Sequence, residues 1–125
     1  MSLTPEPLSV KITVPREGVA LLTFSGPLDH ETAPEFRLHL ADQLAHGRRH
    51  ILLDLAAVPF MDSSGMNAVL RVHRETRDLP GSLHVIAPAP PVRRILDLTG
   101  VSQMVPVSAG VDDALALVVR QDEGS

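Results

Sequence analysis

The sequence predicts an α/β fold: a mixed β-sheet of about five strands with four helices packed on it, in the order ββαβαβαβα. Three observations predict it. Segments with a two-residue apolar period alternate with segments of helical period after an opening hairpin, and that alternation is the signature of strands crossed over by helices. The run Ile51-Leu52-Leu53-Asp54-Leu55 is apolar on both faces, as a central strand covered on both sides would be. The chain has 125 residues, 44% hydrophobic and 21% charged, which suits one folded domain over 1–125 with its core within about 8–120.

Each element has its own reason. Leu8, Val10, Ile12 and Val14 alternate with polar residues, so 8–14 reads as a half-buried strand. Arg16-Glu17-Gly18 turns the chain, and Val19 to Ser25 returns as the second strand of a hairpin. Thr32 followed by Glu35 is a capping-box pattern with Pro34 in the first turn, so a helix begins there. Its buried stripe is Phe36, Leu40 and Leu44, and Gly47 stops it. Residues 50–55 form the central strand. A second helix runs from Ser64, as N-cap, to about Arg77, with Met66, Val69, Leu70 and His73 turned inward. Leu79-Pro80-Gly81 turns the chain into a strand from Leu83 to Ala87. Pro90-Pro91 opens a helix carrying Val92, Ile95, Leu96 and Leu98, closed by Thr99-Gly100. Met104 to Val107 is a short strand, placed on an edge because Pro106 has no N–H for a ladder. Val111 to Arg120 is the last helix, followed by a frayed tail, Gln121 to Ser125.

Composition narrows the function. There is no Cys, which excludes disulfides, thiolate zinc sites and cysteine catalysis. Net charge is −4, only three aromatic residues occur and Lys11 is the only lysine, a poor endowment for direct nucleic-acid binding. Met1 to Leu8 lacks the regions of a signal peptide, and no apolar run nears the ~20 residues of a membrane span, so a cytoplasmic protein is expected. His30-Glu31-Thr32-Ala33-Pro34 begins like a His-Glu-x-x-His zinc motif, but Pro34 occupies the second histidine position, and no metal or other cofactor is expected. Arg71, Arg74 and Arg77 read as a solvated helix face, and Arg93-Arg94 as exposed.

The remaining chemistry lies in Asp62-Ser63-Ser64-Gly65, where the chain leaves the central strand and enters a helix. Backbone N–H groups are unpaired at a helix start and the dipole favours negative charge. A hydroxyl there can be a cap, a nucleophile or a phosphate acceptor. The nucleophile reading lacks the Gly-x-Ser-x-Gly elbow, and His73 and His84 fall in a helix and a strand where a triad needs a histidine on a loop near the nucleophile. A cap at Ser64 with Ser63 as a small spacer is the plainer reading, and it is compatible with Ser63 presented to solvent.

The segment Val58-Pro59-Phe60-Met61-Asp62-Ser63-Ser64-Gly65 resembles the signature of the bacterial anti-sigma factor antagonists, the STAS domains. Gly26-Pro27-Leu28-Asp29-His30-Glu31-Thr32-Ala33 is similar to that family's first loop, and Pro91 to Val101 to its third helix. The resemblance spans roughly residues 8–120 and departs from the usual pattern at Met66-Asn67, where Leu-Gly is commoner. It implies a STAS-like fold and a non-enzymatic switch. Such an antagonist binds a serine-kinase anti-sigma factor and frees a sigma factor. The kinase phosphorylates it, here at Ser63 by alignment, and a serine phosphatase resets it. The partner-binding surface implied is Asp29, His30, Asp62, Ser63, Ser64, Gly65, Met66 and Asn67, on a monomer or weak dimer. The alternative is a STAS-like scaffold subunit of a larger signalling complex in which Ser63 is never modified.

Overall fold

The computed structural model describes residues 7–123. Five strands form one sheet in the order β1-β2-β3-β4-β5: β1 Ser9–Arg16, β2 Val19–Ser25, β3 His50–Ala57, β4 Ser82–Ile86 and β5 Val107–Ser108. Five helices join them: α1 Ala33–Ala45, α2 Ser63–Asp78, α3 Pro90–Leu98, α4 Val101–Met104 and α5 Val111–Glu123. The hairpin pairs β1 with β2 antiparallel, and all other pairings are parallel. The sheet is therefore mixed, with β3 at its centre as the apolar run requires.

Alternation along the strands divides the core into two layers. Ala20, Leu22 and Phe24 of β2, Ile51, Leu53 and Leu55 of β3, and Leu83 and Val85 of β4 face one way, under Phe36 and Leu40 of α1, Val69 and Val72 of α2, and Val92 and Leu96 of α3. Val19, Leu52 and Ile86 face the other way, under Ala114 and Val118 of α5. The same second face carries a buried polar chain. Ser82 Oγ lies 2.7 Å from His50 Nδ1 and 2.8 Å from His84 Nε2, joining the directly paired residues His50 and Ser82 and the next outward-pointing position of β4. Buried polar atoms left without such bonds cost about 1–3 kcal/mol. Ser82→Ala therefore destabilises the protein by roughly that amount, read as a lower midpoint in urea unfolding with an unchanged slope.

Six expectations need correction. The first strand is not half-buried: Leu8 is buried and Val10 packs on the core, but Ile12 and Val14 are 36% and 45% exposed. β1 is an edge strand lying beyond the helices that cover β2 and β3, so its alternation has nothing to bury against at its far end. Its register with β2 also breaks between Thr13 and Arg16, around Pro15. The helices number five, not four, and the strand expected at Met104–Val107 shrinks to Val107–Ser108. Gly100, with φ +80°, ends α3 as expected, yet one further helical turn follows because Val101 and Val105, four residues apart, both reach the core. Pro106 precedes the edge strand, and its carbonyl accepts from the Val85 N–H at 2.9 Å. The Thr32–Glu35 capping box does not form, and Ser64 is not the cap of α2. The last helix runs on to Glu123, past the expected fraying point; Gly124 and Ser125 lie outside the described residues.

Candidate functional site

Two loops meet at the carboxyl end of β2 and β3. The β2–α1 loop and the β3–α2 loop are laced by a short parallel bridge between Leu28 and Met61. The Leu28 N–H donates to Phe60 O at 2.9 Å, and the Asp62 N–H donates to Leu28 O at 3.2 Å. Leu28 and Met61 are themselves buried, so the bridge is anchored in the core beneath.

Asp62 is the residue that joins the loops to the helix. It is the N-cap of α2 in extended conformation. Its Oδ1 accepts from the N–H groups of Ser64 (2.8 Å) and Gly65 (3.1 Å), and its Oδ2 accepts from the His30 N–H on the other loop (3.2 Å). The cap assigned to Ser64 belongs to Asp62 because α2 already starts at Ser63, so Ser64 lies inside the first turn and its own N–H is one of the two orphan amides that Asp62 satisfies. Loss of such a cap costs about 1–2 kcal/mol. Asp62→Ala is expected to lower stability by that amount, with amide exchange of Ser64, Gly65 and His30 accelerating together.

The β2–α1 loop is held by a second carboxylate. Asp29 Oδ1 accepts from the N–H groups of Glu31 (3.0 Å) and Thr32 (3.1 Å). Thr32 Oγ1 donates to Pro27 O (2.8 Å) and accepts from the Asp29 N–H (2.9 Å). Thr32 thus closes its own loop and leaves the first turn of α1 uncapped, while Glu35 sits beside His39 (3.7 Å). That is the physical reason the capping box fails.

On this frame the predicted residues divide. Ser63 is the first residue of α2 and exposed; its Oγ makes no hydrogen bond among the described residues. His30 and Asn67 are exposed beside it, and Ser64 and Met66 are half-buried. Asp29 and Asp62 are half-buried with their carboxylates committed to backbone amides. Gly65 is buried and faces inward against Leu28, so it belongs to the packing under the surface and not to the surface itself. Phe60, 50% exposed on the same loop, was missed; a large aromatic in a turn two residues before the signature acid was the available signal. Neither loop contains Lys or Arg, and between them they carry Asp29, Glu31 and Asp62.

Beyond Ser63, Arg71, Arg74 and Arg77 of α2 are exposed, as is Arg94, and Arg93 pairs with Asp97 at 3.1 Å. His73, half-buried on α2, has its pKa held below the ordinary imidazole value by burial and by Arg77 and Arg74. A base with a lowered folded pKa binds its proton less readily folded than unfolded, so acidification through that range works against the fold.

No group of three or more His, Asp or Glu is placed to hold a metal ion among the described residues, and no helix there is long and apolar enough to cross a membrane. Among the described residues Ser82 is the serine bonded to histidines, and it is buried and serves the sheet.

A family model described as STAS domain matches residues 11–114. The chain is 33% identical over 91 residues to the anti-sigma F factor antagonist of Paenibacillus polymyxa, covering 72% of this chain and 78% of that protein. The crystal structure of an anti-sigma factor antagonist from Mycobacterium paratuberculosis is similar with a TM-score of 0.81 and 28% identity, over 92% of this chain and 97% of that one. The anti-sigma factor antagonist SpoIIAA in its unphosphorylated form is similar with a TM-score of 0.76 over 88% of this chain and 96% of that one; at 23% identity this is a likeness of fold.

Proposed function

The chain belongs to the STAS domain family, and on that premise we propose that it is an anti-sigma factor antagonist of the cytoplasm: a binding protein, not an enzyme, that docks on a serine-kinase anti-sigma factor, releases a sigma factor, and is switched off when the kinase phosphorylates Ser63. The observation that carries this reading is the placement of Ser63, exposed and unbonded at the first residue of α2, between two loops locked by Asp29 and Asp62. The docking surface is formed by His30, Phe60, Ser63, Ser64, Met66 and Asn67. Asp29, Asp62 and Gly65 set its shape from behind.

The switch follows from charge. Phosphate adds about −1.5 to −2 charges at neutral pH. A helix start ordinarily welcomes an anion through its free amides, but here the Ser64 and Gly65 amides are already taken by Asp62 Oδ1. A phosphate on Ser63 therefore stands beside the Asp62 carboxylate, on loops that carry Asp29 and Glu31 and no Lys or Arg. Solvent screens that charge in the free protein. In an interface it would have to be desolvated, which is the costly case for an unpaired ion. A serine phosphatase restores the neutral hydroxyl.

Incubation with the cognate kinase and ATP is expected to add one phosphate, mapped by mass spectrometry to Ser63. Ser63→Ala is expected to bind the kinase and take up none. Phosphate appearing on Ser64, or on the Ser63→Ala variant to the same extent, would refute the assignment. A scaffold subunit would show no phosphoform at all.

A further inference from the structure

We propose that the α1–β1 side of the molecule is a self-association surface, on which a second copy of this chain packs about a two-fold axis with the two α1 helices antiparallel. Glu35, His39, Asp42 and His46 lie at spacings of four, three and four residues, which places them on one stripe of α1 and its closing residue. Glu35, Asp42 and His46 are exposed, and His39 is half-buried with its ring edge on Phe24 of β2, centroids 6.3 Å apart. Within one chain the carboxylates pair only loosely, Glu35 with His39 at 3.7 Å and Asp42 with His46 at 3.6 Å, while His46 Nδ1–H donates to the Asp42 carbonyl at 2.7 Å.

The order of the stripe specifies its occupant. Read from the other end, acid–His–acid–His becomes His–acid–His–acid at the same spacings. A two-fold contact requires that if residue i meets residue j, then j meets i. An antiparallel second copy satisfies this with Glu35 opposite His46 and His39 opposite Asp42, each pair occurring twice. Every carboxylate then faces an imidazole: His39 carries at least one N–H whatever its protonation, and His46, whose Nδ1–H is held by the Asp42 carbonyl, leaves Nε2 for Glu35, a donor when the ring is protonated. Like groups never meet. A parallel copy would set acid against acid.

The apolar part of the contact lies alongside. Ile12 is paired with Leu22 of the core, so it sits on the face of the sheet that carries α1, and it is 36% exposed. Val14, 45% exposed, follows it on the same edge strand. Val10, next in that row, is paired with Phe24, the residue under His39. An apolar strip flanked by a polar stripe is the usual anatomy of a protein interface, and β1 has no strand beyond it to cover that strip. Ser63 and its loops take no part.

Charge swapping tests this by sedimentation equilibrium on the intact chain. Wild type is expected to dimerise reversibly. The double variant Glu35→Lys/Asp42→Lys sets Lys against His, and His39→Glu/His46→Glu sets acid against acid, so each alone is expected to weaken the dimer about tenfold or more. An equimolar mixture of the two restores complementary pairing in a heterodimer and is expected to recover association. All four sites are at least partly exposed, and unchanged circular dichroism of each variant confirms that it is folded. Wild type that stays monomeric to the highest soluble concentration, or a dimer that neither double variant weakens, or a mixture that fails to recover association, would each overturn the proposal.

Discussion

Ser63→Asp is expected to bind the anti-sigma kinase about a thousandfold more weakly than wild type, a loss of ~4 kcal/mol. Titration calorimetry with the purified kinase measures it. The substitution leaves the fold intact because position 63 is exposed at the first helical residue, where an acid is favourable to the helix dipole. Stability should therefore change by no more than about 0.5 kcal/mol. The effect on docking has the opposite sign. The new carboxylate joins loops that carry Asp29, Glu31 and Asp62 and no Lys or Arg, and burial against a partner removes the water that screens it. Ser63→Ala removes only a small hydroxyl and should bind within a factor of about three of wild type, well under 1.4 kcal/mol. The contrast between the two variants separates charge from shape. Equal binding by both would mean that Ser63 lies outside the interface.

Gly65→Ala is the substitution expected to harm the fold of the site most. A Cβ at Gly65 would stand 2.5 Å from Leu28 O and 2.8 Å from Leu28 Cγ. Two effects compete. Alanine is a better helix former than glycine by about 1 kcal/mol. Overpacking costs about 1–3 kcal/mol, and here the upper end applies, because one atom in the way is backbone. Leu28 O already accepts from the Asp62 N–H, so it can retreat only by parting the two loops. The clash wins, with a net loss of about 2 kcal/mol and a fall in melting temperature of roughly 5–10 °C. Because the clash pries apart the loops on either side of Ser63, kinase binding should weaken as well, although Gly65 touches no partner. A variant as stable as wild type would show that the loops can separate freely.

Much of this was legible beforehand, and for identifiable reasons. The apolar run at 51–55 could be satisfied only by a strand covered on both faces, and β3 is central. Phe36 and Leu40 recur at helical spacing and both are fully buried. The Asp-Ser-Ser-Gly block announced a strand-to-helix turn with an exposed hydroxyl, and Ser63 is exposed there. What failed was local logic where a tertiary partner intervened. Thr32 has the residue type of a cap, but Pro27 O competes for its hydroxyl. Ser64 has it too, but the carboxylate before it reaches two amides at 3.1 Å or less. Val105 reads as part of a strand from Met104 to Val107 until the core beneath it and Val101 favours one more helical turn.

The order of elements, the central strand, the buried stripes and the serine at the strand-to-helix turn are properties of the linear pattern, because apolar period and turn chemistry act within a few residues. Which groups satisfy which backbone amides is not. Asp62 binding the His30 N–H across 32 residues, Gly65 pressed on Leu28, the bare edge of β1 and the stripe on α1 beside it depend on which segments the sheet brings together. Hydrogen bonds and close contacts are settled by distance in space, and only the folded chain sets that distance.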